Sequence, residues 1–311
     1  MAMGFWSPKV VYEYRKRIDT AISIAKIEIN KGRANSYTYF YLGGALGFKG
    51  RLKLMEQRWF SSYMIAVQAI NALKTCKELN PGNKDVLLGL GMYDYYSVRF
   101  SGVLKFLARI FLHKGDKERG LKELHIAADE ATFSSIEAKS LLLYIYLFLE
   151  NDYSRARPLA DELADMFLNY PGHIHNKGIT YILLEMEAEY QKTLNYLQKK
   201  AAQQISQLKT SEWKRRGLYL EASYWLFNEK YDKAREKLEA ILSNPDPEND
   251  PYMIAWPQLK IGMSYELEGN KEKAVKYYKL ITQMENGAGA QFLAEKHISD
   301  PIEKESPFLL F

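Results

Sequence analysis

The sequence predicts an all-α fold, a solenoid of antiparallel helix pairs, and three observations lead to this prediction. One helical pattern recurs along the chain at a regular interval. The sequence lacks the valine- or threonine-rich alternation that would indicate a sheet. The ten prolines leave 9–80 and 82–157 without a helix breaker, so long helices are permitted in the first half of the chain.

The recurring pattern opens a helix, places a small residue five positions on, and puts mostly large apolar residues four and seven positions after that. These positions share one helical face, and the small residue lets a neighbouring helix approach closely. The openings lie 36, 78 and 40 residues apart, which is one, two and one period of a roughly 39-residue unit. The four copies are Gly115, Gly120, Leu124 and Ala127; Asn151, Ala156, Ala160 and Leu163; Glu229, Ala234, Leu238 and Ile241; and Gly269, Ala274, Tyr278 and Ile281.

The last copy resembles the second helix of a tetratricopeptide repeat (TPR). Ile261-Gly262 and Tyr265 precede it, in the positions of that repeat's Leu-Gly and Tyr. The match covers 255–288, and it extends to 215–248, where Ala222 and Trp225 replace the Gly and the Tyr. The resemblance implies antiparallel helix pairs stacked into a right-handed superhelix, with a binding function rather than chemistry.

Residues 35–172 also resemble a subgroup of bacterial TPR proteins of unassigned role, distantly related to the eukaryotic inclusion-body-clearance and outer-membrane TPR family. Three motifs carry this resemblance: Tyr-Leu-Gly-Gly-Ala-Leu-Gly at 41–47, the run from Leu87 to Tyr96, and the run from Gly115 to Leu121. The subgroup brings no catalytic residues with it. It therefore supports the architecture more than a function.

One superhelical domain is predicted over 1–311, with about six units. An N-terminal capping helix is expected over 8–31, because Pro8 suits a first turn and Lys31-Gly32 suits a helix end. The helix-pair repeats are predicted over 35–83, 84–131, 136–171, 173–208, 212–243 and 255–285, followed by a C-terminal tail over 299–311.

Two inserted segments depart from a standard repeat. A stop is predicted at 47–50, followed by one long helix from Arg51 to Leu79 whose first half, 51–64, is an extension. The second insertion, 99–114, carries an apolar stripe with lysine and arginine beside it. Its apolar face indicates either a membrane-surface or docking helix or one buried in the solenoid, and burial is favoured because so apolar a stripe is easily covered. The docking residues would be Phe106, Leu107, Ile110 and Phe111.

Composition excludes several classes of function. The formal charge is +5, with lysine and arginine scattered among acidic residues, which argues against a nucleic-acid partner. Cys76 is the only cysteine, and its place on an apolar helical face predicts a buried structural thiol. The sequence contains no run of eighteen apolar residues, so it predicts no membrane-spanning helix. Location stays open between cytoplasm and periplasm, although Met1-Ala2-Met3-Gly4 is typical of a vector-derived start and so favours export.

Motifs that would support catalysis are weak in this sequence. His173 and His175 are the two closest histidines, but they follow a predicted turn and have no evident further metal ligands. Glu185, Glu187 and Glu189 alternate, so they cannot share one helical face. Gly89-x-Gly91 lacks the strand and the third glycine of a dinucleotide site. No enzyme activity and no cofactor are predicted, and a hydrolase or metal enzyme is the least favoured class.

The TPR register instead predicts a concave groove that is apolar and aromatic. We predict a scaffold or adaptor that binds a protein or peptide partner in this groove; the alternative is a peripheral membrane or hydrophobic-ligand protein using 103–114, and a small-molecule ligand is not favoured. Inserted helices or the tail could fill the groove, and its aromatics could equally be core between helix layers. The predicted groove residues are Tyr95, Tyr96, Phe148, Tyr219, Phe227, Trp256 and Met263.

Overall fold

The protein is described by a computed structural model covering residues 8–56, 58–98, 115–284 and 287–300. Within these ranges the chain forms fourteen α-helices and no strand, which confirms the predicted all-α class. The predicted docking residues Phe106, Leu107, Ile110 and Phe111 lie outside the described residues, as do positions 301–311 of the predicted tail. None of the fourteen helices is both long and apolar enough to cross a bilayer.

Two compact units make up the fold, one formed by Lys9–Leu142 and the other by the described residues from Leu143 onward. The first unit contains α1 to α5 and the start of α6. These helices are α1 Pro8–Asn30, α2 Ser36–Met55, α3 Trp59–Leu79, α4 Val86–Ser97, α5 Lys117–Glu130 and α6 Ser135–Phe148. The second unit continues with α7 Tyr153–Met166, α8 Pro171–Leu183, α9 Glu187–Gln203, α10 Gln207–Phe227, α11 Tyr231–Leu242, α12 Tyr252–Leu267, α13 Lys271–Thr282 and α14 Ala290–Ser299.

Helix α2 corrects the predicted boundary of the first insertion. The stop expected at 47–50 is wrong, because α2 continues through these residues to Met55 and α3 begins only at Trp59. Gly50 lies inside the helix, where its carbonyl accepts a 2.8 Å hydrogen bond from Ser62 Oγ. Just before α3, the backbone N–H of Arg58 donates to the carbonyl of Lys53 at 2.9 Å.

Small residues in the first unit let its helices nest, as the sequence pattern predicts. Leu73 of α3 lies between two glycines: a Cβ added at Gly43 would be 2.7 Å from it, and one added at Gly89 would be 2.4 Å from it. Gly91 and Gly120 bring α4 and α5 together, since a Cβ on Gly91 would lie 2.8 Å from the carbonyl of Gly120. The Gly-x-Gly run therefore serves helix packing.

Cys76 is fully buried in α3, as predicted. Its sulfur is 3.6 Å from Asn83 Nδ2. Burial raises the pKa of the thiol, which disfavours the reactive thiolate. The residue is a structural thiol.

In the second unit consecutive helices from α7 to α14 contact one another in order, and α8 and α10 also contact each other. The predicted small residues are buried here too, including Ala156, Ala234 and Ala274. Two boundaries differ from prediction. Helix α7 ends at Met166 rather than near Pro171. Helix α8 begins at Pro171, because proline is well suited to the first helical position.

Helix α14 was missed by the sequence analysis. Its buried residues Ala290, Gln291, Ala294 and His297 recur at helical spacing. That spacing, within the stretch between the last predicted repeat and the predicted tail, is the signal that could have found it.

Candidate functional site

Four turns in the second unit each join two consecutive helices, and the turns at 185, 229 and 269 share one pattern of backbone hydrogen bonds. Each contains a residue in the left-handed region, and we name the turns after it. The residues are Asn151 (φ 52°), Glu185 (φ 56°), Glu229 (φ 55°) and Gly269 (φ 86°). The sequence pattern had found turns 151, 229 and 269 but not turn 185, which falls inside the double period.

The next residue of each turn caps the following helix and bonds back to an aromatic residue of the preceding one. Its backbone N–H donates to the carbonyl of that aromatic residue, as in the C-terminal capping motifs of helices. The pairs are Asp152 to Tyr146 (2.9 Å), Met186 to Tyr181 (2.8 Å), Lys230 to Trp225 (2.8 Å) and Asn270 to Tyr265 (2.8 Å). Turns 185, 229 and 269 therefore place an aromatic residue five positions before the capping residue, and turn 151 places one six positions before it.

At three of these turns a cation from the same hairpin lies over that ring. It is always the third residue beyond the capping residue. The distances to the ring centroid are 5.7 Å for Arg155 over Tyr146, 4.4 Å for Lys233 over Trp225 and 4.9 Å for Lys273 over Tyr265. Such separations are typical of cation–π contacts, so each ring face is covered by the hairpin's own positive charge.

Turn 185 departs from this arrangement at two adjacent positions. The position of the cation is taken by Glu189, and the buried small residue that follows it elsewhere is replaced by Tyr190. Tyr190 is 1% exposed and stacks on Tyr224 of α10, with ring centroids 4.4 Å apart and planes 7° from parallel. A bulky ring thus packs between α9 and α10 at the position where the other hairpins carry a buried alanine.

The departure leaves an open cleft of about 310 Å³ at turn 185, which we call the aromatic cleft. Residues from the end of α8, the turn itself, the start of α9 and the end of α10 form its walls. They are Tyr181, Ile182, Glu185, Met186, Glu187, Tyr190, Tyr224, Phe227 and Asn228.

The formal charges at the aromatic cleft are negative. Glu185 and Glu187 are exposed at its rim, and neither lysine nor arginine is among the described residues that line it. Helices α8 and α10 both end here, and helix C-termini carry partial negative charge. Burial and the hydrogen bond to Glu187 raise the pKa of Tyr224, so its hydroxyl stays protonated.

The back wall of the cleft, at Tyr181, has its own polar partners. The Tyr181 hydroxyl donates to Asp161 of α7 at 2.6 Å, and Lys177 pairs with the same carboxylate at 3.3 Å. Burial, Asp161 and, to a smaller extent, Glu189 raise the pKa of Tyr181. Arg157 lowers the pKa of Tyr181, so charges of both signs act on this side chain.

The predicted groove residues are not gathered at one exposed surface. Phe227 lines the aromatic cleft and is partly exposed, and Tyr96 in the first unit is also partly exposed. The other five are buried: Tyr95 (0% exposed), Phe148 (7%), Tyr219 (0%), Trp256 (2%) and Met263 (1%). Their role in partner binding stays a prediction.

Trp256 illustrates what burial means for these side chains. Its indole N–H donates to the carbonyl of Ala288 at 3.1 Å, and its ring stacks on Tyr252 with centroids 5.3 Å apart. Replacing Trp256 would therefore disturb packing before it reported on a partner. Phe227 and Tyr224 are the cleaner positions to test.

A buried charged cluster lies among α8, α10 and α12, and the sequence analysis missed it. Arg215 and Arg216 both contact the carboxylate of Asp250, each at 3.1 Å, and all three side chains are buried. Lys260 Nζ lies 5.3 Å from the ring centroid of Tyr219, and burial lowers the pKa of Lys260 to about 7. Charged residues within an apolar helical register were the available signal.

The two neighbouring histidines belong to packing in this unit. His175 stacks on Tyr219 with centroids 5.3 Å apart, and burial lowers its pKa to about 3. His173 contacts Phe167 and Tyr170, and burial lowers its pKa to about 4. Across the described ranges, no three His, Cys, Asp or Glu side chains come together in a way that could hold a metal ion.

The comparisons with known proteins add no assignment. The chain matches no family model, and no curated protein matches it. Its function is therefore argued from the geometry of the second unit. The acidic residues singled out in the sequence gain a place in that geometry: Glu185 lies in the turn and Glu187 opens α9, so both reach one cleft without sharing a helical face.

Proposed function

We propose that this chain is a TPR-like, right-handed α-solenoid that acts as a non-catalytic scaffold or adaptor for a protein partner. The observation that supports it is the repetition of one capped, left-handed turn at Asn151, Glu185, Glu229 and Gly269. Proteins built from repeated helix pairs commonly use the surfaces of successive repeats to hold extended partners. The resemblance to the TPR pattern points the same way.

The aromatic cleft is the part of the second unit that we assign to partner binding. It combines partly exposed aromatic surface at Tyr224 and Phe227 with polar groups at its rim. Aromatic side chains in a concave site are typical anchors for a partner residue. This assignment keeps Phe227 from the predicted groove and replaces Trp256 by Tyr224.

Site-specific photocrosslinking tests the proposal. A benzophenone amino acid replaces Phe227, and the matched control carries it at Leu280, which is 47% exposed on α13. We expect a discrete protein adduct in the native cell type from position 227 and none from position 280. Adducts of equal yield from both positions, or no adduct from position 227, would contradict partner binding at the cleft.

The membrane alternative stays a prediction from the sequence, because 103–114 lies outside the described residues. Liposome flotation measures it directly. If the alternative holds, the unmodified protein floats and Phe106→Asp with Phe111→Asp does not. A protein that stays at the bottom of the gradient removes this alternative.

A further inference from the structure

We propose that the aromatic cleft at turn 185 binds one positively charged side chain, arginine or lysine, presented by an extended basic segment of the protein partner. This rests on the proposed function for the existence of a partner. What is added is the chemistry that the cleft recognises. Three observations support this proposal: a missing cation, charge complementarity and the size of the cleft.

The first observation is that turn 185 does not supply the cation that its sister turns supply. Arg155, Lys233 and Lys273 cover the equivalent rings at 5.7, 4.4 and 4.9 Å. At turn 185 the same position is Glu189, which carries the opposite charge. The described residues give no cation–π contact to the ring of Tyr181, Tyr190 or Tyr224, so an equivalent charge would have to come from another molecule.

A second basic position is also changed at this turn. Two residues after the first cation, the neighbouring hairpins carry Arg157 and Arg235. Arg235 lies 4.4 Å over the ring of Tyr265, which belongs to the following hairpin. The matching residue of turn 185 is Gln191, whose amide donates to Glu187 at 2.8 Å. Gln191 therefore directs no positive charge at the following hairpin, while Arg157 of the preceding hairpin acts electrostatically on Tyr181 without a cation–π contact to its ring.

The second observation is charge complementarity. Glu185 and Glu187 stand at the rim, and the C-terminal ends of α8 and α10 add partial negative charge, which exceeds the partial positive charge of the α9 N-terminus. A guanidinium or ammonium group placed between them gains charge-assisted hydrogen bonds and ring contacts together. A phosphate-bearing partner would be repelled by the same groups, which sets nucleic acid aside.

The third observation is size. The cleft measures about 310 Å³. Ligand sites generally run from ~300 to ~1,000 Å³, so this one accepts a single long side chain rather than a whole helix. The flanking surface beside Phe227 and Asn228 leaves the backbone of an extended segment outside the cleft.

Methyl NMR on the full chain tests the proposal with a defined probe. Met186 lines the cleft. Among the [13C]methyl signals of the ten methionines, the one that disappears in Met186→Leu belongs to Met186. The probe is N-acetyl-arginine methylamide, and its matched neutral control is the citrulline analogue. We expect the Met186 signal to shift and saturate with the arginine compound at a Kd on the order of 1–10 mM, and citrulline to bind at least tenfold more weakly.

Two variants sharpen the test. Glu189→Lys restores the cation found in the sister hairpins, so it should abolish the shift caused by the arginine compound. Glu236→Lys makes the same charge change on α11, at a side chain that is 72% exposed, and should leave the shift unchanged. Unchanged signals for the other methionines in the absence of probe establish that both variants fold.

The outcomes separate the two proposals. If arginine and citrulline shift Met186 equally, or neither does, cation recognition is overturned, while an adduct from position 227 would still support a protein partner. If arginine alone shifts Met186 and Glu189→Lys blocks it, cation recognition is supported even without an adduct. A shift that survives Glu189→Lys would place binding elsewhere and overturn the proposal.

Discussion

Turn 185 and turn 229 have the same backbone and different surfaces. In both turns a glutamate in the left-handed region is followed by the capping residue. The backbone N–H of that capping residue donates to the carbonyl of an aromatic residue at 2.8 Å. Turn 229 then places Lys233 over its own ring and buries Ala234 against the neighbouring helix. Turn 185 places Glu189 and Tyr190 at these two positions and opens a cleft.

The shape of a hairpin and the chemistry of its surface are set by different residues. The left-handed residue and the returning hydrogen bond fix how the two helices meet. Two side chains beyond the cap then decide whether a cation lies over the ring, as Lys233 does over Trp225, or a carboxylate takes its position, as Glu189 does. A repeat can therefore acquire a binding site without losing its place among the other repeats.

The largest expected effect comes from removing the buried ring that replaces the alanine of the other hairpins. Tyr190→Ala should lower the free energy of unfolding by about 3–5 kcal/mol, because a fully buried aromatic side chain leaves a cavity. Urea denaturation followed by circular dichroism measures it. Tyr190→Phe is the control and should cost less than ~1 kcal/mol. A small loss for the alanine variant would mean that the helices around Tyr190 repack to fill the cavity.

Acid should weaken the hairpin of turn 185 in particular, because α8 carries His173 and His175 while α10 carries no histidine. Burial lowers the pKa of His175 to about 3, so between pH 6.5 and 3 the unfolded chain binds a proton that the native chain does not. Stability therefore falls as pH falls through this window. His175 alone should contribute about 2 kcal/mol of loss between pH 7 and 5.

The measurement is the urea midpoint at several pH values for the natural protein and for His175→Gln. The variant should lose stability less steeply with acid, whatever its stability at pH 7. Parallel curves would mean that His175 titrates as freely in the folded protein as in the unfolded chain.

A smaller effect is expected from the left-handed residues. Glu185→Gly and Glu229→Gly should each raise stability by about 0.5–1 kcal/mol, since a side chain in the left-handed region costs ~1–2 kcal/mol and glycine loses part of this gain through chain entropy. Only Glu185→Gly should also weaken binding of the arginine probe. Equal effects of the two variants on probe binding would remove Glu185 from the cleft's recognition chemistry.

The smallest expected effect belongs to the exchanged charges. Glu189→Lys should stabilise the protein by about 0.5 kcal/mol at most, because the added cation–π contact is partly offset by the loss of an acidic residue from the first turn of α9, and Lys233→Glu should destabilise it by a similar amount. Thermal unfolding at low salt measures both. Opposite signs for the two variants are the outcome that the comparison requires.

Sequence reasoning recovered the helical class and most helix positions because small residues recur at a fixed spacing. Ala156, Ala234 and Ala274 are buried where the pattern places them. The break between α2 and α3 was missed because it depends on a backbone hydrogen bond from Arg58 to Lys53, which leaves no clear residue signature. The glycines of 47–50 drew attention to the wrong place.

The candidate site was harder to predict because it is an exception to the pattern. Turn 185 has Tyr190 in place of a small residue, so a search for small residues skipped it. Phe227 was found through the TPR register, but its distance from Tyr181 and Glu187 along the chain hid the cleft they form together. Aligning the hairpins on their aromatic and capping residues would have exposed the change from lysine to glutamate.

Leu73 fits against both Gly43 and Gly89, so one side chain belongs to the packing of α2 and of α4 at once. Fraying of α2 or of α4 exposes Leu73 on one side. The packing of Leu73 against the other helix is then weakened as well. The first unit should accordingly melt as a single cooperative block, with amide protons in α2, α3 and α4 exchanging at one shared rate when exchange requires global opening.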